Sequence, residues 1–352
     1  MSLPTKRIVA SVCGDGHIRP IEQDAPELRP GTVAIEVRAS LVSPGTELGG
    51  WRNLATKREN PDADAKPRPF GYSNSGVVLA VGEGVTKFKA GDRVACVGGG
   101  YALHTDFAVV PHNLTVHLPD NVTFAQGSYA MLSATALMAL RRGTPQFGEY
   151  TCIVGLGIVG NIAAQLYQLA GNFVIGWDTI PFRTQLARQV GIEATATVGW
   201  EDEIEATKTF TRGMGLDSGV LAFGGNGEKA VKSLEKSMKV SPDTHPMGTI
   251  VVVGSPVFQY STACTNIDFR RSSRTGAGYH DNAWEVGGDY PSVFMRWTTP
   301  NNLNLCIRLI SDGKLNVDAL TTHKMPLADA DAGIDAILDD ADGIIGVVFE
   351  AK

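Results

Sequence analysis

The run Val154-Gly155-Leu156-Gly157-Ile158-Val159-Gly160 follows the apolar stretch Thr151 to Val154 and leads into the helical spacing of Asn161 to Ala170. A strand that passes through G-x-G-x-x-G into a helix leaves few folds open. The first glycine permits the tight turn, the second lets the main chain approach a diphosphate, and the third lets helix and strand pack closely. The anion rests on the helix N-terminus, where free N–H groups and the dipole favour negative charge. Gly155, Leu156, Gly157, Ile158, Val159 and Gly160 therefore read as a dinucleotide-binding turn. The next apolar run, Phe173 to Trp177, ends in Asp178, 23 residues after Gly155. A carboxylate there accepts hydrogen bonds from a ribose diol and repels a 2′-phosphate, which favours NAD over NADP. The other reading of Asp178 is a cap for the following helix. Arg183 either covers an adenine face or is solvated.

The turn sits inside a longer alternation. Helical and strand-like segments follow one another from Phe124 to Val253, the pattern of right-handed parallel βαβ units. Gly224-Gly225-Asn226-Gly227 and Gly254-Ser255-Pro256 each follow a strand-like run, so Gly224, Gly254 and Ser255 fall at carboxyl ends of strands, where ligands bind in such sheets. Ordinary βα turns are the competing reading. Before Phe124 the texture differs: Ile8 to His117 reads as short strands between glycine turns, and Asn53 to Pro69, polar and proline-bearing, reads as an exposed loop. Past Gly278 an irregular stretch gives way to two helical and two strand-like segments. The expected fold class is α/β, a doubly wound parallel sheet domain (124–278) inserted in a β-rich domain (1–123 and 279–352).

Composition narrows the function. The 352 residues are 43% apolar and 19% charged, enough for two cores and too little charge for a disordered chain. Net charge is -6, with no Lys/Arg run to track a phosphate backbone, so no nucleic-acid partner is expected. No stretch is long and apolar enough for a membrane span, and no secretory leader follows Met1, so a cytoplasmic protein is expected. The five cysteines, at 13, 96, 152, 264 and 306, lie at no metal-binding or redox spacing and read as reduced core thiols.

Several motifs outside the alternation carry a family likeness. Gly31 to Glu47, Gly71-Tyr72-Ser73-Asn74-Ser75-Gly76-Val77-Val78, Val81-Gly82-Glu83-Gly84-Val85 and Gly91-Asp92-Arg93-Val94 keep their order with the glycine turn and with Thr322-His323-Lys324-Met325-Pro326-Leu327. With these the chain resembles the medium-chain dehydrogenase/reductase superfamily over nearly its whole length. The resemblance implies a Rossmann domain inserted in a GroES-like catalytic domain, hydride transfer with NAD(P), a small-molecule substrate and a homodimer. Zinc members of the family have a cysteine where this chain has Pro44 and a Gly-His-Glu motif where it has Gly71-Tyr72-Ser73. No Cys, His or Asp stands at 131–133, and the four-cysteine structural lobe is missing. The expected metal content is therefore none, and the expected branch is zinc-independent.

Without a metal, alcohol chemistry at neutral pH needs a side-chain acid or base. Candidates are Tyr72, Thr46, Glu47, Tyr101, His104, Tyr279 and His280. Thr46 aligns with the relay hydroxyl of zinc relatives, Tyr72 takes a former ligand position, and His280 opens the irregular loop. Thr46, Tyr72 and His280 are the expected catalytic residues, against the readings of turn hydroxyl, cleft wall and loop anchor. His323 reads as structural. Arg270, Arg271 and Arg274 either bind an acidic substrate or form a solvated edge or subunit contact. The leading function is NAD-dependent interconversion of a secondary alcohol, sugar- or polyol-like, and its ketone. The alternatives are an NADPH-dependent enone or quinone reductase and a catalytically silent NAD-binding protein.

Overall fold

Unbroken runs of β-branched and apolar residues mark strands covered on both faces. In the computed structural model, which describes residues 2–47, 51–259, 266–340 and 342–351, such runs form β1 (Tyr150–Val154), β2 (Phe173–Asp178), β3 (Ala194–Thr197), β4 (Ser218–Leu221), β5 (Met247–Val252) and the more polar β6 (Asn266–Arg271). All pair in parallel, in the order β3-β2-β1-β4-β5-β6. Helices α1 (Ile158–Leu169), α2 (Pro181–Gln189), α3 (Glu203–Phe210) and α4 (Glu228–Ser237) lie in the connections from β1 to β5. The order turns back on itself between β1 and β4, which opens a crevice at the carboxyl ends of those two strands. The core of this unit gathers Cys152, Ile175, Trp177, Leu221, Leu234 and Ile250. Trp177 is fully buried and its indole N–H donates to Thr207 Oγ1 at 3.1 Å, so its one polar atom is satisfied.

The chain divides into two compact units, Thr135–Arg274 with Lys314–Leu320, and Met1–Ala134 with Thr275–Gly313 and Thr321–Lys352. The second is built on the ten-residue strand Thr32–Leu41, which pairs antiparallel with Ser73–Val81, Phe107–Pro111 and Gly346–Glu350. Arg93–Val97 and Thr115–His117 extend the sheet beyond Ser73–Val81, and Thr321–Pro326 lies parallel to Gly346–Glu350 at its other end. A smaller antiparallel sheet joins Ile18–Asp24, Lys6–Val12 and Arg68–Pro69.

The structure revises one reading of the sequence. Asn53 to Pro69 is not a loop throughout: Trp51–Glu59 is helical, and Leu54 is 1% exposed in a core with Ile18, Phe70, Ile334 and Val347. Arg58 fixes this helix, pairing with Asp331 at 3.4 Å and Asp335 at 2.6 Å. Phe124 to Leu140 is two helices, Phe124–Gly127 with a Thr123/Gln126 capping box, and Ala130–Gly143. Of the arginine group, Arg270 Nη1 donates to the Arg142 carbonyl at 3.1 Å and Thr144 Oγ1 at 2.9 Å, closing the carbonyl end of a helix. Cys13, Cys96, Cys152 and Cys306 are buried free thiols; Cys264 lies outside the described residues. Among the described residues no helix is long and apolar enough to cross a membrane.

Candidate active site

The glycine turn leaves β1 at the point where strand order reverses. Gly155 takes φ +92°, a left-handed conformation that suits glycine, and its N–H donates to the Trp177 carbonyl at 2.7 Å. A Cβ on Gly160 would lie 1.7 Å from the Gly155 carbonyl oxygen, so α1 packs against the turn only because that atom is missing. Gly157 differs from both. It is the N-cap of α1 with no side-chain cap, and a Cβ on it would meet nothing within 4 Å. The main chain thus borders open space at a helix N-terminus, which fits a diphosphate. Leu156 and Ile158 are buried, and Val159 is half-buried. The Leu156 side chain fills the room left by Gly176 of β2.

Asp178 closes the turn from the end of β2. Its Oδ2 accepts the Leu156 N–H at 2.6 Å and its Oδ1 accepts the Ile180 N–H at 2.9 Å. The two readings of Asp178 meet here, because the carboxylate supports the chain leading into α2 while standing against the glycine turn. Each oxygen keeps a further lone pair for a ribose hydroxyl. Arg183, on the first turn of α2, has Nη1 4.0 Å from Asp178 Oδ2. Beyond β4 and β5, Gly224–Asn226 and Ser255–Val257 are short strands paired in parallel rather than plain turns, and Gly224 faces Ser255. A Cβ on Gly254 would lie 2.0 Å from the Phe223 carbonyl oxygen, so this crossing of two chains requires a glycine.

In the other unit, Thr46 and Tyr72 come together. Ser43 N–H and the first helical turn, Pro44–Glu47, bend back on the Glu47 carboxylate, whose Oε2 accepts that N–H at 2.9 Å. The Tyr72 phenol has the Ser43 and Thr46 hydroxyls as hydrogen-bond partners. Burial raises its pKa well above the ordinary value, the Glu47 charge adds to the rise, and the two hydroxyls oppose it. Tyr72 is therefore a neutral donor across the physiological range. Tyr279 also faces Tyr72, and its phenolic oxygen accepts the Gly99 N–H at 2.8 Å.

His280 joins this cluster through its neighbour. Its ring stacks on Tyr279 with centroids 3.9 Å apart, and its main chain has φ +74°. The buried Glu285 holds that strained backbone, accepting the His280 N–H at 2.8 Å. Tyr101 shares Glu285; burial and that carboxylate both raise the Tyr101 pKa. Pairwise interactions thus run in one line from Thr46 to Tyr72, from Tyr72 to Tyr279 and from Tyr279 to the His280 ring.

Two residues beneath this line were visible in the sequence only as members of a longer candidate series. His104 is fully buried, with Nε2 3.1 Å from Glu47 Oε2 and Nδ1 2.8 Å from Ser40 Oγ. No spacing signal connects Glu47 and His104, because antiparallel pairing brings them together. Among the described residues, the acidic and imidazole group His17, Asp331 and Asp335 is half-exposed and already paired with Arg58.

Residues 29–120 match the alcohol dehydrogenase GroES-like domain family. The chain is 26% identical over 360 residues to sorbitol dehydrogenase of Mus musculus, covering 94% of this chain and 93% of that protein. A quinone oxidoreductase of Pseudomonas aeruginosa is 33% identical over 154 residues, 43% of this chain and 47% of that protein. In fold, an Escherichia coli oxidoreductase/dehydrogenase of unknown specificity superposes with a TM-score of 0.77 at 20% identity, over 98% of this chain and 99% of that one.

Proposed function

The chain belongs to the medium-chain dehydrogenase/reductase superfamily, and from that premise we propose that it is an NAD-dependent, zinc-independent oxidoreductase interconverting a secondary alcohol of sugar or polyol type and its ketone. The observation that carries this reading is the pairing of an open Gly157 turn with the Asp178 carboxylate at the strand-order reversal. Gly155 to Gly160 would hold the diphosphate, Asp178 the adenosine ribose, and Gly224, Gly254 and Ser255 the far end of the coenzyme. Arg183 would lie over the adenine. When bound there, the dinucleotide supplies the hydride acceptor or donor.

Zinc independence rests on chemistry at the family's ligand positions. Pro44 has no donor atom, and Tyr72 and Ser73 replace an imidazole and a carboxylate. Their place is taken by hydroxyls. The neutral Tyr72 phenol donates a hydrogen bond and then a proton to the oxygen that gains charge as a ketone is reduced, and Thr46 orients it. His280, the exposed imidazole of this cluster, would serve as its general acid and base, reaching the Tyr72 phenol only through intervening water. In the oxidative direction the same phenol must first lose its proton, so oxidation is the slower direction at pH 7 and accelerates as pH rises.

A second reading has its own support in the quinone oxidoreductase likeness: a neutral phenol serves equally well to protonate the enolate of an enone. Asp178 opposes the NADPH that this branch commonly uses. We assign the protein a cytoplasmic setting and a homodimeric state with β6, the last strand of its sheet, as the meeting edge. The deciding experiment measures metal content and follows absorbance at 340 nm with NADH and NADPH against sugar ketones, polyols and enones. Turnover of polyols with NAD by metal-free protein supports the leading reading; turnover of enones alone moves the protein to the second; binding of NADH with no turnover removes both.

A further inference from the structure

Three residues around Tyr279 take left-handed backbone conformations, and only two of them are glycines. Gly276 has φ +129° and Gly278 φ +100°, and a Cβ on Gly278 would lie 2.3 Å from the Trp284 ring. His280, at φ +74°, is the third. Glycine would take that conformation freely, whereas a side chain there is strained, and strain of this kind points to a task for the side chain that bears it. The imidazole is exposed and stacks on the Tyr279 ring, with centroids 3.9 Å apart and planes 26° apart. That phenol ring is itself tethered, its oxygen accepting the Gly99 N–H at 2.8 Å.

The group that holds residue 280 stands where helix electrostatics and solvation both disfavour it. Glu285 ends the one-turn helix Asn282–Glu285 and is 2% exposed, so it brings a carboxylate to a carbonyl end, out of water. The helix does not need it as a cap. Asp281 is the N-cap, its Oδ1 accepting the Trp284 N–H at 3.2 Å while its Oδ2 accepts the Tyr290 hydroxyl. Glu285 Oε1 instead reaches back past the helix start and accepts the His280 N–H at 2.8 Å.

We propose that Glu285 is the positioning residue for His280: by holding the main chain of residue 280 in the left-handed region, it sets the imidazole on the Tyr279 ring. Without that acceptor the residue relaxes to a negative φ, and its side chain leaves the phenol. Trp284 links the two halves of the arrangement. Packed against Gly278 and 4% exposed, it fixes the helix that carries Glu285 to the chain that carries Tyr279. The acid-base task of the imidazole rests on the function proposed above; its placement by Glu285 does not.

The test observes the imidazole itself. In the full chain carrying ¹³C-labelled histidine, without substrate or coenzyme, the His280 ring protons lie over the Tyr279 ring and should resonate upfield. Tyr279→Leu removes the ring current and so identifies the displacement. Glu285→Leu is expected to abolish it, since losing a hydrogen bond that opposes left-handed strain lowers the stacked population about tenfold. Glu285→Gln, whose carboxamide oxygen still accepts the His280 N–H, should keep it. An unchanged displacement in Glu285→Leu, or equal loss in both variants, would overturn the proposal even if the enzyme turns over polyols; the expected pattern upholds it even if no turnover is found. Should Glu285→Leu fail to fold, hydrogen exchange in the unsubstituted protein decides: the His280 amide should exchange at least about tenfold more slowly than an unbonded amide, and exchange at the unbonded rate overturns the assignment. Where turnover exists, Glu285→Leu should lower kcat in the native background and change it less than about twofold in His280→Ala. Equal losses in both backgrounds would reduce Glu285 to a structural role.

Discussion

Replacing Gly157 and Gly160 separately by alanine should split coenzyme binding from stability. At Gly160 the new Cβ would sit 1.7 Å from the Gly155 carbonyl oxygen, against about 3.3 Å for an ordinary carbon–oxygen contact. The missing separation of about 1.6 Å has to come from the backbone, because both partners are main chain and Gly155 is fixed at φ +92° by its bond to Trp177. Overpacking of this kind costs about 1 to 3 kcal/mol or more. At roughly 2 to 4 °C per kcal/mol for a large domain, Tm should fall by several degrees. Gly157→Ala starts from φ -66° and ψ -169°, open to any residue, and meets nothing within 4 Å. Loss of a favourable N-cap and loss of glycine's unfolded-state freedom nearly cancel, leaving about 0.5 kcal/mol either way. The added methyl nevertheless projects into the space assigned to the diphosphate, so NADH affinity should drop at least about tenfold, or about 1.4 kcal/mol. Thermal unfolding and NADH fluorescence titration read the two effects. A Gly157→Ala protein that binds NADH as before would refute the placement of the coenzyme on this turn, and one that loses more Tm than Gly160→Ala would refute the packing argument.

Asp178→Ala should relax discrimination between NADH and NADPH and cost about 1 to 3 kcal/mol, since the buried Leu156 N–H loses its acceptor; an unchanged NADH/NADPH affinity ratio would remove the ribose assignment. Tyr72→Phe should lower the rate of ketone reduction about a hundredfold with KM little changed, measured at 340 nm; full activity would leave the reaction without its proton donor. Stability should fall as pH rises above about 9, because Cys96 (pushed up to about 12), Cys152, Tyr72 and Tyr167 keep their protons when folded, whereas the unfolded chain releases thiol and phenol protons from about 8.5 to 10. That contribution is complete below the unfolded values and is lost on the alkaline side; a Tm constant from pH 7 to 10.5 would contradict it. Leu54→Ala should destabilise by about 2 to 5 kcal/mol in chemical unfolding, whereas a residue in an exposed loop would cost almost nothing.

The parts of this molecule readable in its sequence are those whose physics is local. Each strand, turn and helix from Tyr150 to Val252 is complete within a few dozen residues, so the period of apolar residues and the glycine spacing report it directly. Asp178 was legible for the same reason, since a parallel βαβ unit returns the chain beside its starting point. The helix Trp51–Glu59 has little sequence signal, because Leu54 anchors it to the core amid charged and polar neighbours and the prolines at 61, 67 and 69 follow closely, as they do in loops. The double crossing at Gly224 and Gly254 was hidden because two short segments pair only with each other. The Glu47–His104 contact had no local signature, as it depends on strand registers that bring distant segments together. Thr46 and Tyr72 were reached through family likeness, and the resemblance could not reveal that a buried carboxylate stands behind them.

The strand Thr32–Leu41 carries a consequence for how the protein is made. Its pairing with Gly346–Glu350 sets Val348 against Leu41 and Phe349 against Ser40, and Phe349 packs on His104. A ribosome delivers the first of these partners early and the second only after the whole inserted parallel sheet has emerged. The stretch Ala39–Leu41 therefore stays without this partner until the last residues emerge, whereas Thr32–Glu36 can already pair with Phe107–Pro111.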